Sequence, residues 1–284
     1  MNKFNPQILV DDDSYFIPEV REWSLDKYKL VGSYCDIFTT GMKRYWDQLV
    51  YIDLFAGAGY AKIIETGKIY LSSSLIAMSL PNPFTKYVLC EEDPVRFEAL
   101  SKRVKENFPM HDVTLLCGDS NEIIDDVFKA IPRFGKGNTM LPFSFVDPYS
   151  LNLNFNTIKT LGSKILMDFL ILQALHMDGN RNLTKYLKDE NEKIALYLGN
   201  NEWRTEFQNN KENYTINFVK FLAEQYQRNM TSLGYINDKN MYQIRSNQKN
   251  LPLYYLSFYS KHQRGVDFFK KIEKYVNPQL SLDF

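Results

Sequence analysis

The chain has 284 residues, 44% of them apolar and 24% charged, and its 34 basic and 34 acidic side chains balance at net charge zero. That is the composition of a globular protein able to bury a sizeable core; it excludes a disordered chain and any global electrostatic pull onto nucleic acid. Cys35, Cys90 and Cys117 are scattered without C-x-x-C spacing, so neither a disulfide framework nor a zinc site is expected, only buried thiols in a reducing cytoplasm.

Residues 1–20 carry Asn, Pro and the run Asp11-Asp12-Asp13, and read as an exposed lead-in whose acids form a solvated face. The start has no basic segment ahead of an apolar core, so no signal peptide is expected. A domain is expected from residue 21 to 284. Over 24–46 the apolar positions Leu25, Tyr28, Leu30, Tyr34, Phe38 and Met42 have helical spacing, with Ser24 placed to cap the start.

The organising stretch is Tyr51-Ile52-Asp53-Leu54-Phe55-Ala56-Gly57-Ala58-Gly59. An apolar run ends in an acid and two glycines, the pattern of a buried parallel strand entering a tight turn. A short helix or hairpin is expected up to Leu71, then a helix over 75–79 capped by Ser72-Ser73-Ser74. Three further strands end in acids: 87–90 at Glu91, 113–117 at Asp119 and 142–146 at Asp147. Strand, turn and helix alternate through this region, which predicts α/β architecture with a mostly parallel sheet. A fifth strand is expected over 168–171 and a helical insertion at about 180–230. An antiparallel closing pair, 242–245 and 253–259, is joined by a turn at 246–250. A last helix covers 265–275. The longest apolar run, 165–177, is broken by Asp168, Gln173 and His176, so no membrane span is expected.

Parallel strands bring these endings to one edge. There Glu91 can accept bonds from both hydroxyls of a ribose, Asp119 from an adenine amine, and the Gly57/Gly59 turn can hold the charged end of a cofactor with Asp53. Plainer readings stand beside these. Glu91, Glu92 and Asp93 suit a helix N-terminus, Asp119-Ser120 suits a helix cap, and Asp147-Pro148 suits a strand stop. A nicotinamide cofactor is disfavoured because Lys62 stands where G-x-G-x-x-G needs its third glycine.

With these motifs the chain resembles class I S-adenosylmethionine-dependent methyltransferases, and more narrowly the three-Cys-motif partner (TcmP) family. The likeness runs through Lys27 and Tyr34, the Asp53–Gly59 stretch, Glu91, Gly118-Asp119-Ser120-Asn121, Phe145-Val146-Asp147-Pro148-Tyr149 and the tail at 252–262. It implies a Rossmann-like sheet and S-adenosylmethionine as cofactor, with contacts from Lys27, Asp53, Phe55, Ala56, Gly57, Gly59, Glu91, Asp119 and Ser120. Asp147-Pro148-Tyr149 is similar to the Asp-Pro-Pro-Tyr box of amino-methyltransferases, which implies catalysis on an exocyclic amine by Asp147, Pro148 and Tyr149. Ser150 stands where the family usually has glycine, and Ser72-Ser73-Ser74 where it has Gly-Ser-Pro. A three-Cys-motif protein is the implied partner, and a nucleic-acid base is the first substrate expected. The alternative is a cofactor-binding subunit that regulates its partner and methylates nothing. No metal and no membrane are expected, and a cytoplasmic location is.

Overall fold

The structure, a computed structural model, describes residues 4–209, 218–236, 241–245 and 251–276. The chain divides into two compact bodies, residues 1–146 with 267–284, and residues 147–266.

The first body opens with short strands β1 (Leu9–Val10) and β2 (Glu19–Val20) and helix α1 (Ser24–Met42). Strand β3 (Gln48–Asp53) enters the glycine turn, which leads to a hairpin of β4 (Tyr60–Ile63) and β5 (Ile69–Leu71). Then come α2 (Ser73–Met78), β6 (Lys86–Glu91), α3 (Pro94–Asn107), β7 (Val113–Cys117), α4 (Ile124–Ala130) and β8 (Met140–Val146). The strand order is β7-β6-β3-β8, all parallel, with Asp53 level with Leu89 and Phe145, and Glu91 level with Cys117. Residues 49–53 are buried without alternation, as expected of a strand covered on both faces. The chain runs outward from β3 through β6 to β7, then returns to the other side of β3 as β8. That reversal leaves a crevice beyond the carboxyl ends of the strands, the usual ligand position in such sheets.

Three expectations are corrected in this body. The lead-in is not an exposed tail: β1 pairs with β5 and β2 with β4, building a small sheet in the order β1-β5-β4-β2. The hairpin has open edges, and the lead-in satisfies them through Leu71 N to Ile8 O (3.0 Å) and Lys62 N to Pro18 O (3.0 Å). The same hairpin accounts for the long interval between the glycine turn and Glu91. Ser24 does not cap α1. The flanking residue is Trp23, and the preceding turn already supplies carbonyls, Ser24 N to Arg21 O and Leu25 N to Glu22 O, both 2.9 Å. Cys35 and Cys90 are buried, but Cys117 is exposed, because it closes the terminal strand β7.

The second body contains α5 (Phe155–Lys164), β9 (Asp168–Gln173), a π-helical segment (Leu175–Asn180), α6 (Leu183–Tyr186), α7 (Lys193–Leu198) and α8 (Trp203–Asn209). It continues with α9 (Phe218–Ser232), β10 (Met241–Arg245), β11 (Pro252–Tyr259) and the start of α10 (Gln263–Val276). Strand β11 lies between β9 and β10 and is antiparallel to both. The turn expected at 246–250 lies outside the described residues. The described part of 180–230 carries helices, and they pack on this body's own strands. Tyr197 donates to Gln173 Oε1 at 3.1 Å, the Tyr226 ring lies 6.1 Å from that of Tyr259, and Trp203 is fully buried. Large aromatics on the inner faces of α7, α8 and α9 seat what composition alone presents as a polar cap. The fold is mixed α/β, with a largely parallel set of strands joined by helical crossovers and an antiparallel closing strand. Among the described residues no helix is long and apolar enough to cross a membrane, and no His, Cys, Asp and Glu group could hold a metal ion.

Candidate cofactor site

The turn after β3 is held one amide at a time. Phe55 N donates to Asp53 Oδ1 (3.2 Å), Ala56 N to Cys90 O (2.8 Å) and Gly57 N to Glu91 Oε2 (2.8 Å). Gly57 and Gly59 have φ of +66° and +87°, a region where an L side chain is strained. The two glycines serve different ends. A Cβ on Gly57 would meet nothing within 4 Å, so this position leaves open space; a Cβ on Gly59 would stand 2.8 Å from Leu75 Cδ1. Gly59→Ala is therefore expected to destabilise the fold by about 2 kcal/mol, from strain and overpacking together. Urea unfolding of the variant checks this, and a loss below ~0.5 kcal/mol would contradict the packing assigned to Gly59.

Asp53 is fully buried beneath the turn. Besides the Phe55 amide it accepts the Tyr51 and Ser73 hydroxyls, each at 3.1 Å. Burial and the Asp53 charge push the Tyr51 hydroxyl well above its ordinary value, so it remains a donor. These contacts make Asp53 a support for the turn. Ser74 adds a bond from its hydroxyl to Ala56 O at 3.1 Å. The capping role expected of Ser72-Ser73-Ser74 is corrected: α2 already starts at Ser73, Ser72 makes no side-chain capping bond, and Ser73 and Ser74 bond the turn instead.

Glu91 bridges two loops, accepting Gly57 N on one oxygen and Asp93 N (3.0 Å) on the other. Each carboxylate oxygen has a second lone pair, so capacity for two hydroxyl donors remains. Asp93, by contrast, is the plain helix cap, accepting Val95 N at 2.9 Å and Arg96 N at 3.0 Å. The third loop is tied to Glu91 through Gly118 N to Glu91 O at 3.0 Å. Within it, Asp119 Oδ1 accepts both nitrogens of Asn121, at 2.8 and 2.9 Å, and closes a local turn without capping α4.

Direct bonds thus bring Asp53, Phe55, Ala56, Gly57, Glu91 and the Asp119 loop together. Three features of this group look for a ligand. Ser120 Oγ is buried and has no hydrogen-bond partner among the described residues. The amides of Ala58 and Gly59 have no acceptor among the described residues. Gly57 faces unfilled space. Buried polar groups are rarely left unmatched, so this cluster is the candidate for a polar binding site. The field at the edge is negative. Burial first, then the Glu91, Asp53 and Asp119 charges, push the Cys90 thiol up to about 12. Lys27 is buried on α1, with its ammonium 5.2 Å from the Tyr28 ring and 5.8 Å from that of Trp23.

Asp147-Pro148-Tyr149 lies in the second body. Asp147 is half-buried, Pro148 is buried, and Tyr149 is 90% exposed, an unusual placement for a large aromatic. The residues after it are clamped by Asp178 from the π-helical segment, which accepts the Ser150 hydroxyl and Leu151 N (3.0 Å). Asn182 Nδ2 (2.7 Å) and the Tyr186 hydroxyl complete the set. Burial pushes the Asp178 carboxyl up, but the bonds from Ser150, Tyr186, Leu151 and Asn182 outweigh it and hold the group below its ordinary value. Glycine at 150 could not make the first of these bonds. Asp178 was missed in the sequence, where it is one acid in a polar stretch.

No family model matches the chain, and no curated protein matches it. Among solved structures it is similar to protein LPL1258 from Legionella pneumophila, at 12% identity over 88% of this chain and 92% of that one, with TM-score 0.46. It is similar to the O-methyltransferase TomG from Streptomyces achromogenes in complex with SAM, at 12% identity over 80% and 79% of the two chains, with TM-score 0.41. A third is M. jannaschii TYW2 in complex with AdoMet, at 15% identity over 79% and 74%, with TM-score 0.33.

Proposed function

We propose that this protein is an S-adenosylmethionine-dependent methyltransferase, with its cofactor at the carboxyl edge of β3, β6 and β7. The observation that carries the reading is the set of unmatched polar groups beside three carboxylates at that edge. Such a field suits a ligand that carries a sulfonium and an ammonium, and it opposes the diphosphate of a dinucleotide. Glu91 would take the ribose hydroxyls. Asp119, with one oxygen not used by Asn121, and Ser120 would take the adenine. The Gly57–Gly59 turn would take the amino-acid end. When bound, the cofactor supplies an electrophilic methyl group. The chain's own part is to orient the acceptor: Asp147 and the Pro148 carbonyl would accept hydrogen bonds from an exocyclic amine, aiming its lone pair. Tyr149 offers an exposed ring on which an unstacked base can lie, which makes a nucleic-acid base the first substrate class.

The family resemblance adds a three-Cys-motif partner to this reading, and the scattered cysteines without C-x-x-C spacing add a cytoplasmic location. A second reading, a cofactor-binding subunit that does no chemistry, is favoured by the zero net charge, which gives an independent nucleic-acid enzyme little attraction to its substrate. Calorimetry with S-adenosylmethionine, S-adenosylhomocysteine and NAD in parallel is expected to give heat for the first two only. NAD binding without either sulfur compound would overturn the cofactor assignment.

A further inference from the structure

Arg103 on α3 is fully buried, and none of the motifs at the strand ends includes it. Its guanidinium is saturated. Nε donates to Asp13 Oδ2 (2.7 Å), Nη2 to Asp13 Oδ1 (2.6 Å) and Tyr15 O (3.5 Å), and Nη1 to Phe16 O (3.0 Å) and Ala58 O (2.7 Å). The group also stacks 4.0 Å from the Tyr60 ring. The N-terminal strap is anchored along α3 as well, through the Tyr15 hydroxyl to Glu106 Oε1 at 2.7 Å. One buried cation therefore joins the strap to the carbonyl between the two glycines.

The placement has a consequence for the turn. Two glycines with positive φ leave a backbone with many alternatives, and its bound shape must be fixed from outside. Gripping the Ala58 carbonyl sets that peptide plane. Because the peptide is trans, the Gly59 amide is held on the opposite side from Arg103. That amide is one of the two with no acceptor among the described residues. Arg103 can hold this position while buried only because Asp13 neutralises it with a bidentate bond.

We propose that Asp13 and Arg103 are positioning residues of the cofactor site, a clip by which the N-terminal strap sets the glycine turn in its ligand-binding shape. The proposal rests on the cofactor reading above, and its test separates the two. Asp13 is partly exposed, so Asp13→Ala is the variant of choice, with Asp13→Glu to restore the charge. Two measurements are made on the full chain: S-adenosylhomocysteine affinity by calorimetry, and amide hydrogen exchange of residues 56–60 without ligand. Asp13→Ala is expected to weaken S-adenosylhomocysteine about tenfold and to speed exchange in the turn, with Asp13→Glu recovering part of both. A clip that only stabilises the fold would lower the unfolding midpoint and leave the affinity of the folded protein unchanged, and that result overturns the proposal. If the wild type binds no S-adenosylhomocysteine, the cofactor reading fails, and the exchange measurement still decides the clip. Unchanged exchange at 56–60 in Asp13→Ala refutes it.

Discussion

Asp147→Ala is expected to slow methyl transfer roughly 30- to 1000-fold while leaving S-adenosylhomocysteine affinity within about twofold. The size follows from the role. A charge-assisted hydrogen bond that orients the amine in the transition state is worth about 2–4 kcal/mol, and an alanine can neither accept it nor replace it with ordered water. Cofactor affinity should hold because every carboxylate assigned to the cofactor belongs to β3, β6 or the loop after β7, and none is altered. Asp147→Asn is the sharper probe: it keeps the shape and one acceptor oxygen, so its loss should be smaller than that of alanine. The assay is transfer of labelled methyl to single-stranded nucleic acid, with and without a three-Cys-motif protein as the proposed partner. Full activity in Asp147→Ala removes the amine-orienting role even where methylation is confirmed. Absence of transfer under all conditions, with cofactor binding intact, selects the non-catalytic subunit.

Glu91→Ala should weaken S-adenosylhomocysteine by about 1.5–3 kcal/mol, or roughly 10- to 150-fold. Two losses combine in this variant. The ribose hydroxyls lose a charged acceptor, and the amides of Gly57 and Asp93 lose the group that ties the glycine turn to the following loop. Glu91→Gln separates them, because its one carbonyl oxygen can keep a single loop contact while its amide cannot accept the second. Its affinity should fall between wild type and alanine. Equal affinity for wild type and Glu91→Ala, measured by calorimetry, would move the ribose contact elsewhere and undo the proposed site. Folding is checked by urea unfolding of each variant.

The sequence by itself determined the parallel strands β3, β6, β7 and β8 and the acids at or just after their ends, but not the small sheet that β1 and β2 complete. Continuous apolar runs that end in Asp53, Glu91 and Asp147 announce parallel strands, because burial on both faces removes alternation, whereas β7 before Asp119 is a half-buried edge strand; the carboxyl ends then share an edge. The antiparallel partners β10 and β11 were legible as two β-rich runs on either side of a polar stretch of sequence. What the sequence left open was which polar side chain serves the ligand and which serves the protein. Asp93 and Glu91 are two residues apart and chemically alike; only the fold makes one a helix cap and the other a bridge to Gly57. Asp13 reads as one of three solvated acids until α3 brings a buried guanidinium 90 residues away against it. Asp178 and Ser150 are 28 residues apart, and neither has a neighbour in the sequence that betrays the other. Local pattern encodes burial and periodicity, which set the elements. Pairings between polar groups distant in the chain depend on packing geometry, and that was decided only by the tertiary structure.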